Sequence, residues 1–316
     1  MNLTGTETFF IVMNAGSGRN AVEDKQQAID AAMREAGRRY EITAVPGGEL
    51  TSAVADVVAK AREAKGVVVA CGGDGTLSAV AGQVWESGLP FGILPQGTFN
   101  YVGRTFGIPA DIPAATRILL GAHIEPVQVG QLNDHVFLVN ASVGLYPELL
   151  EDREAYKKRY GRSRLVALWS GLVTLLRDHR ELTLRLTFEG KERVMRTPTL
   201  VVGNNALQLE QIGVDGTPLT QGELVAMMAR PVGTLEMYWL LLRGAFSSLG
   251  DADQVRTFGF DRLNVRVGER RWERRRVKVA MDGEIMHLTT PLTFQVAPKP
   301  LQLLVPPDYE RVRERA

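Results

Sequence analysis

The segment Gly72-Gly73-Asp74-Gly75-Thr76 stands between an apolar run, 67–70, and a helical pattern that begins just after it. Glycines let a backbone approach a ligand closely and adopt positive φ, and the amides that open a following helix act as anion donors. A phosphate fits such a turn. A bare carboxylate at Asp74 would repel phosphates, so its expected contact is with a magnesium-bound phosphate or, indirectly, with a nucleotide. The same residues also read as a tight strand-to-helix turn capped by Thr76.

Two further turns carry similar chemistry. Asn14-Ala15-Gly16-Ser17-Gly18 follows the apolar run 9–13, and Gly97-Thr98-Phe99-Asn100 follows the run 91–94 and Pro95-Gln96. Ligands of open α/β sheets bind outside the carboxyl ends of parallel strands. Three glycine-containing turns with Asn, Ser, Thr and Asp at successive strand ends therefore describe a nucleotide cleft. It is not a P-loop, because no Gly-x-x-x-x-Gly-Lys-Ser/Thr occurs, and Ala21 stands where a dinucleotide fingerprint needs its third glycine. The protein-kinase motif set is missing as well.

The elements that must position these turns are legible in the spacing. Short apolar runs alternate with helical patterns over residues 1–135, the signature of βαβ units and a mostly parallel sheet. Strands are expected at 9–13, 40–45, 67–70 and 91–94, with helices over 20–38 and from Thr76 to about Ser87, where Leu77, Val80, Ala81, Val84 and Trp85 form one stripe. From about Val136 the texture changes. Leu182, Leu184, Leu186 and Phe188 alternate with polar residues, as do Leu263, Val265 and Val267, which is the period of antiparallel strands with one wet face. Helical stretches near 164–177 and 235–248 interrupt this β-rich half.

Composition narrows the function classes. With 316 residues, two domains can each bury a core, and Lys+Arg 37 against Asp+Glu 36 gives no basic field that would draw nucleic acid. The single Cys71 cannot form an internal disulfide and reads as buried packing in its apolar run. Residues 1–8 lack a basic-then-apolar leader pattern, and the longest apolar stretch, 165–176, is shorter than a bilayer span, so a cytoplasmic location is expected.

The three turns resemble the diacylglycerol and sphingosine kinase family of lipid kinases, whose pattern is Asn-x-x-Ser-Gly, then Gly-Gly-Asp-Gly-Thr, then Pro-x-Gly-Thr-x-Asn. The resemblance continues in Met281-Asp282-Gly283-Glu284, followed by Pro291-Leu292 and by 301–306. It implies a nucleotide-binding α/β domain of the NAD kinase/diacylglycerol kinase type over 1–135, with the tail 306–316 packing back onto it, and a β-sandwich lipid-substrate domain over 136–305. It also implies ATP and magnesium as cofactors and a membrane lipid such as diacylglycerol as acceptor. Carried over by position, Asn14, Gly16, Ser17, Gly18, Thr43, Gly72, Gly73, Asp74, Gly75, Thr76, Gly97, Thr98 and Asn100 would line the nucleotide, with Tyr101 and Asp282 in or behind the cleft. Asp74 and Glu284 would be catalytic, Glu284 as general base. Phosphoryl transfer asks for little beyond positioning, charge neutralisation and a carboxylate for the hydroxyl proton, which suits that role. Asp282-Gly283 is also a strong hairpin signal, and such a turn could be what presents Glu284.

The sequence departs from the family at three carboxylates. Tyr101 follows Asn100 where an Asp is frequent, Gln128 stands where an Asp is common, and Gln221-Gly222 replaces an Asp-Gly used for a structural magnesium in some bacterial members, so no metal site is assigned. Two basic clusters bear on membrane contact. Lys157, Lys158, Arg159, Arg162 and Arg164 lead into Leu165, Leu168, Trp169, Leu172, Leu175 and Leu176, which suits either a helix lying on anionic lipid or an ordinary packed helix. The second, Arg270, Arg271, Arg274, Arg275 and Arg276, reads as a solvated hairpin tip. A homodimer through an edge strand would leave no distinct mark. Two other readings stand beside the kinase: a catalytically weak nucleotide- or lipid-binding regulator, and an NAD kinase, which shares Gly-Gly-Asp-Gly but has no need of the Asp-Gly-Glu segment.

Overall fold

The computed structural model describes residues 3–16, 19–46, 49–145, 147, 181–230, 255–268 and 274–309. Ser17 and Gly18, the basic-apolar segment 157–176, the helical stretches 164–177 and 235–248, Arg270 and Arg271, and the tail beyond Tyr309 lie outside the described residues. The chain forms two compact units: residues 1–129 with 298–316, and residues 130–297.

The first unit is built on β1 (Phe9–Asn14), β2 (Tyr40–Val45), β3 (Val67–Gly72), β4 (Phe91–Pro95), β5 (His123–Val127) and the last strand of the chain, β18 (Leu301–Val305). Their order is β2-β1-β3-β4-β18-β5, parallel except for the antiparallel edge β5. All six residues of β3 are buried, as a parallel strand covered on both faces requires. The covering helices are α1 (Arg19–Glu35), α2 (Leu50–Glu63), α3 (Asp74–Ser87) and α5 (Ile112–Gly121), with a short α4 (Tyr101–Thr105) after β4. Leu50, Val54, Val57, Val58 and Ala61 form the buried face of α2, and Leu77, Val80, Ala81 and Val84 that of α3. Gly88 ends α3 with φ 73°, its amide returning to Val84 and Trp85 carbonyls, a left-handed stop open to glycine at no steric cost. The strand boundaries agree closely with those expected from the apolar runs.

One boundary differs. The run 301–305, assigned from sequence to the second domain, forms β18 inside the first unit's sheet, and residues 130–135 belong to the second unit. The strand is seated between β4 and β5, with Leu301, Leu303, Leu304 and Val305 buried. Just before it, Lys299 donates from Nζ to the Glu86 carbonyl (3.1 Å), lies 4.9 Å above the Trp85 ring, and accepts from Trp85 Nε1 at its own carbonyl (2.8 Å). No local pattern reports a strand inserted across such sequence distance, because its apolar run looks the same in either sheet.

The second unit has two six-stranded antiparallel sheets. One contains β6 (Gly130–Leu132), β7 (His135–Phe137), β9 (Leu182–Phe188), β10 (Lys191–Thr197), β14 (Arg262–Val267) and β17 (Leu292–Val296). The other contains β8 (Asn140–Gly144), β11 (Thr199–Gly203), β12 (Leu224–Ala229), β13 (Val255–Phe260), β15 (Arg276–Met281) and β16 (Glu284–Thr289). One apolar core draws on both, with Leu184, Leu186, Leu263, Val265 and Phe294 from the first sheet and Val143, Leu200, Leu224, Ala226 and Val279 from the second, so the unit is a β-sandwich. On β12 the alternate residues Val225 and Met227 pack instead with Leu209 and Val214, beneath α6 (Ala206–Gln211) and beside α7 (Thr217–Thr220). Among the described residues no helix is long and apolar enough to cross a membrane.

Two outcomes check this packing. Leu303, 1% exposed, fills the space between β4 and β5; Leu303→Ala is expected to lower stability by about 2–5 kcal/mol, read from the urea midpoint. Burial pushes the Cys71 thiol up to about 12, so a thiolate-directed disulfide reagent at neutral pH should leave Cys71 unmodified until the protein unfolds.

Candidate functional site

Strand order places the turns after β1, β3 and β4 side by side at one edge of the first unit's sheet, with the order reversing between β1 and β3. A crevice is expected outside such a reversal. There Asn14 Nδ2 donates to Thr76 Oγ1 across the two turns (2.8 Å), while Asn14 Oδ1 accepts from the Gly16 amide (2.9 Å). Thr76 is buried and is thereby committed to Asn14. The expected Thr76 cap is not what ends the turn: Gly73 is the N-cap of α3, and no side chain caps it. A fourteen-residue helix thus opens with its first amides and the positive end of its dipole turned toward the crevice.

The turns after β3 and β4 touch through backbone. A Cβ built on Gly97 would lie 2.9 Å from Gly73 Cα and 2.9 Å from Asn100 Oδ1, and one built on Gly73 would lie 3.2 Å from Gly97 Cα. Gln96 donates its amide to the Gly72 carbonyl (2.7 Å), and Gly97 donates to Asn100 Oδ1 (2.6 Å). Asn100 is buried in the left-handed region at φ 49°, a conformation Asn tolerates better than most residues. Thr98 lies exposed in this turn, and Phe99, 47% exposed, stacks on Tyr101 at 5.6 Å. Thr43 sits within β2, half-buried and opposite Val12.

Asp74 does not reach into open space. Its carboxylate accepts from the amides of Tyr101 (3.3 Å) and Val102 (3.2 Å), at the start of α4. Burial pushes its carboxyl above the ordinary range, and the amides of Val102, Tyr101 and Asn100 pull it back. Sequence reasoning gave Asp74 a ligand-side role and missed this tie, whose partners are backbone amides with no side-chain signature.

In the second unit Asp282 (φ 48°) and Gly283 (φ 90°) form the two-residue turn joining β15 to β16, with Met281 opposite Glu284. Positive φ at both central positions is the type I′ hairpin that Asp-Gly favours. Glu284 is exposed as the first residue of β16. Asp282 is buried, and its carboxylate accepts from the amides of Leu138 (2.6 Å), Val139 (2.8 Å) and Asn140 (2.8 Å). Asn204, Asn205 and Gln208, not singled out from sequence, support that segment; the Asn204-Asn205 pair directly after β11 was the available signal, since Asn commonly caps a helix.

Among the described residues no group of three or more His, Cys, Asp or Glu is placed to hold an ion, Asp74 is occupied by amides, and Tyr101 replaces the acid expected beside it. The described residues therefore do not fit a protein-built magnesium cage. The apposed glycines make a direct claim: Gly97→Ala must push apart two backbones, and the expected result is about tenfold weaker nucleotide binding, 1.4 kcal/mol, by titration calorimetry. Unchanged affinity would show that these turns do not hold the nucleotide.

Residues 8–132 match the diacylglycerol kinase catalytic domain family. A protein of Synechocystis with no assigned activity is 25% identical over 318 residues, spanning 95% of this chain and 71% of its own. A diacylglycerol kinase of Staphylococcus aureus is 30% identical over 136 residues, and that match spans only 42% of this chain and 42% of the enzyme. A candidate lipid kinase of Staphylococcus haemolyticus is 28% identical over 77% of each chain. The fold is shared with a Bacillus anthracis diacylglycerol kinase structure at TM-score 0.66 and 16% identity, covering 97% of this chain and 100% of that one. The three glycine turns lie inside the matched segment, so the likeness to the diacylglycerol kinase catalytic domain over residues 8–132 takes in the ends of β1, β3 and β4.

Proposed function

We propose that this protein is an ATP-dependent lipid kinase that transfers the γ-phosphate of ATP to the hydroxyl of a membrane lipid, with diacylglycerol the leading acceptor. The observation that carries the reading is the uncapped start of α3 framed by two glycine turns in backbone contact. Backbone donors at a helix start suit phosphate oxygens. The relatives named as diacylglycerol or lipid kinases support the acceptor class.

In this mechanism the amides opening α3 hold phosphate oxygens and offset their charge. Glu284, exposed on its hairpin, accepts the proton of the lipid hydroxyl as that oxygen bonds to the γ-phosphorus. The bond from the γ-phosphorus to the bridging oxygen breaks, ADP leaves with the electron pair, and the phosphorylated lipid remains. Magnesium neutralises phosphate charge in such reactions when it arrives with ATP. No step of the protein's own chemistry runs through it here.

A regulator that binds nucleotide without efficient transfer is the second reading, and the tie of Asp74 to α4 amides is what favours it, since each oxygen of that carboxylate already serves the turn. One assay separates the two. Labelled γ-phosphate should pass from ATP into organic-extractable product when diacylglycerol, monoacylglycerol, ceramide, a sphingoid base or phosphatidylglycerol is supplied in mixed micelles. Glu284→Gln should lower that rate by about 10²–10⁴ with ATP affinity unchanged. ATP binding without labelled lipid from any acceptor would favour the regulator, and full activity in Glu284→Gln would remove the general base from the mechanism.

A further inference from the structure

Asp-Gly at a hairpin tip normally needs only its turn geometry, and Asn-Gly serves as well. Here the tip is fastened far beyond that need. Asp282 is 7% exposed, and its two oxygens take three successive amides: Oδ2 accepts from Leu138 N at 2.6 Å, and Oδ1 accepts from Val139 N and Asn140 N, each at 2.8 Å. The Asp282 amide returns a bond to the Asn140 carbonyl at 2.9 Å. A carboxylate that accepts only is the one small side chain able to satisfy three converging donors, whereas an amide would set its own N–H against one of them.

The 138–140 segment is itself braced. Asn204 donates its backbone amide to the Val139 carbonyl (2.8 Å) and Nδ2 to the Leu138 carbonyl (3.2 Å). Asn140 Nδ2 donates to Gln208 Oε1 (2.9 Å), and Gln208 donates its amide to the Asn205 cap of α6 (3.0 Å). A continuous set of hydrogen bonds thus runs from α6 and the end of β11, through 138–140, to the carboxylate two residues before Glu284. Among the described residues Glu284 has no comparable side-chain support of its own, being exposed at the start of β16.

Resting on the reading of Glu284 as general base, we infer that Asp282 is a positioning residue for the phosphoryl transfer: it clamps the hairpin so that Glu284 is presented in one register to the acceptor hydroxyl. A general base must come within about 2.6–3.2 Å of the proton it takes. Displacement by about 1 Å can cost on the order of a hundredfold in rate. Only Gly283, with φ 90°, separates the clamp from the base, so little backbone freedom is left between them.

The test uses the full-length protein and the labelled-phosphate assay. Asp282→Asn keeps the volume but faces at least one amide with a donor. Its expected result is a kcat about 10–100-fold lower, with KM for ATP within about twofold of wild type. Gly283→Ala perturbs the same register differently: φ 90° strains an alanine, a Cβ there meets nothing within 4 Å, and the clamp is left intact. A lower kcat with ATP KM preserved is expected there too; where Asp282→Asn fails to fold by circular dichroism, wild-type kcat in Gly283→Ala would show that the hairpin's register does not matter to transfer and so overturns the inference. The sharper readout is coupling. In a Glu284→Gln background, Asp282→Asn should cause no further loss of kcat, because its effect acts through the missing carboxylate, whereas a purely structural role would cost the same factor in both backgrounds. Wild-type kcat in Asp282→Asn, or equal factors in the two backgrounds, overturns the inference while leaving Glu284 in place. Wild-type kcat in Glu284→Gln overturns the base itself and the positioning role with it.

Discussion

A buried carboxylate has to find donors, and in this chain both site carboxylates that precede a glycine find them in backbone amides. Asp74 takes the amides that start α4, and Asp282 takes those of 138–140. Leaving such a group unpaired would cost more than the turn could return. The two sets of bonds therefore fix which way each turn faces: the first pins the turn after β4 against the start of α3, and the second pins the β15–β16 hairpin against residues 138–140, which lead into β8. Glycine then does what a side-chain-bearing residue cannot, letting Gly73 and Gly97 approach until a Cβ on either would press on the other's backbone.

These local ties depend on sheets that are closed correctly at longer range. β18 is inserted between β4 and β5 after the chain has built the whole second unit, so the strand that carries the third glycine turn has a covered edge on that side. The Lys299 contacts with Trp85 and Glu86 sit on the same α3 whose other end opens the crevice. Burial of β18 and the placement of the amides that open α3 are in this way parts of one packing problem within the first unit.

How much of this was legible follows from the range of each interaction. The parallel strands show in apolar runs such as 67–70, the sandwich in the alternation of 182–188, and the hairpin in Asp282-Gly283, because each is governed by neighbours a few residues away. The turns that carry the glycine motifs fell where strand ends were expected. What could not be read was the partner of Asp74, the partner of Asp282 and the sheet that receives β18. Amides carry no residue type, and pairing across more than a hundred positions leaves no period. Thr76 illustrates the same limit: its type suggested a cap, but Asn14, far away in sequence, claims its hydroxyl.

The phenol at position 101 changes the charge beside Asp74. Tyr101 stands where a carboxylate was expected, and burial, together with the nearby Asp74, holds its hydroxyl above its usual titration range against the opposing pull of Arg104. At neutral pH it is therefore an uncharged donor rather than a second negative group. A turn cluster with one acid tied to amides and a phenol in place of another would repel a polyphosphate less and offer a divalent cation fewer ligands. Under the proposed transfer, charge neutralisation would rest on the α3 amides and on the cation that the phosphates bring, and the part left to the protein would be geometry, which is what the amide-tied carboxylates fix.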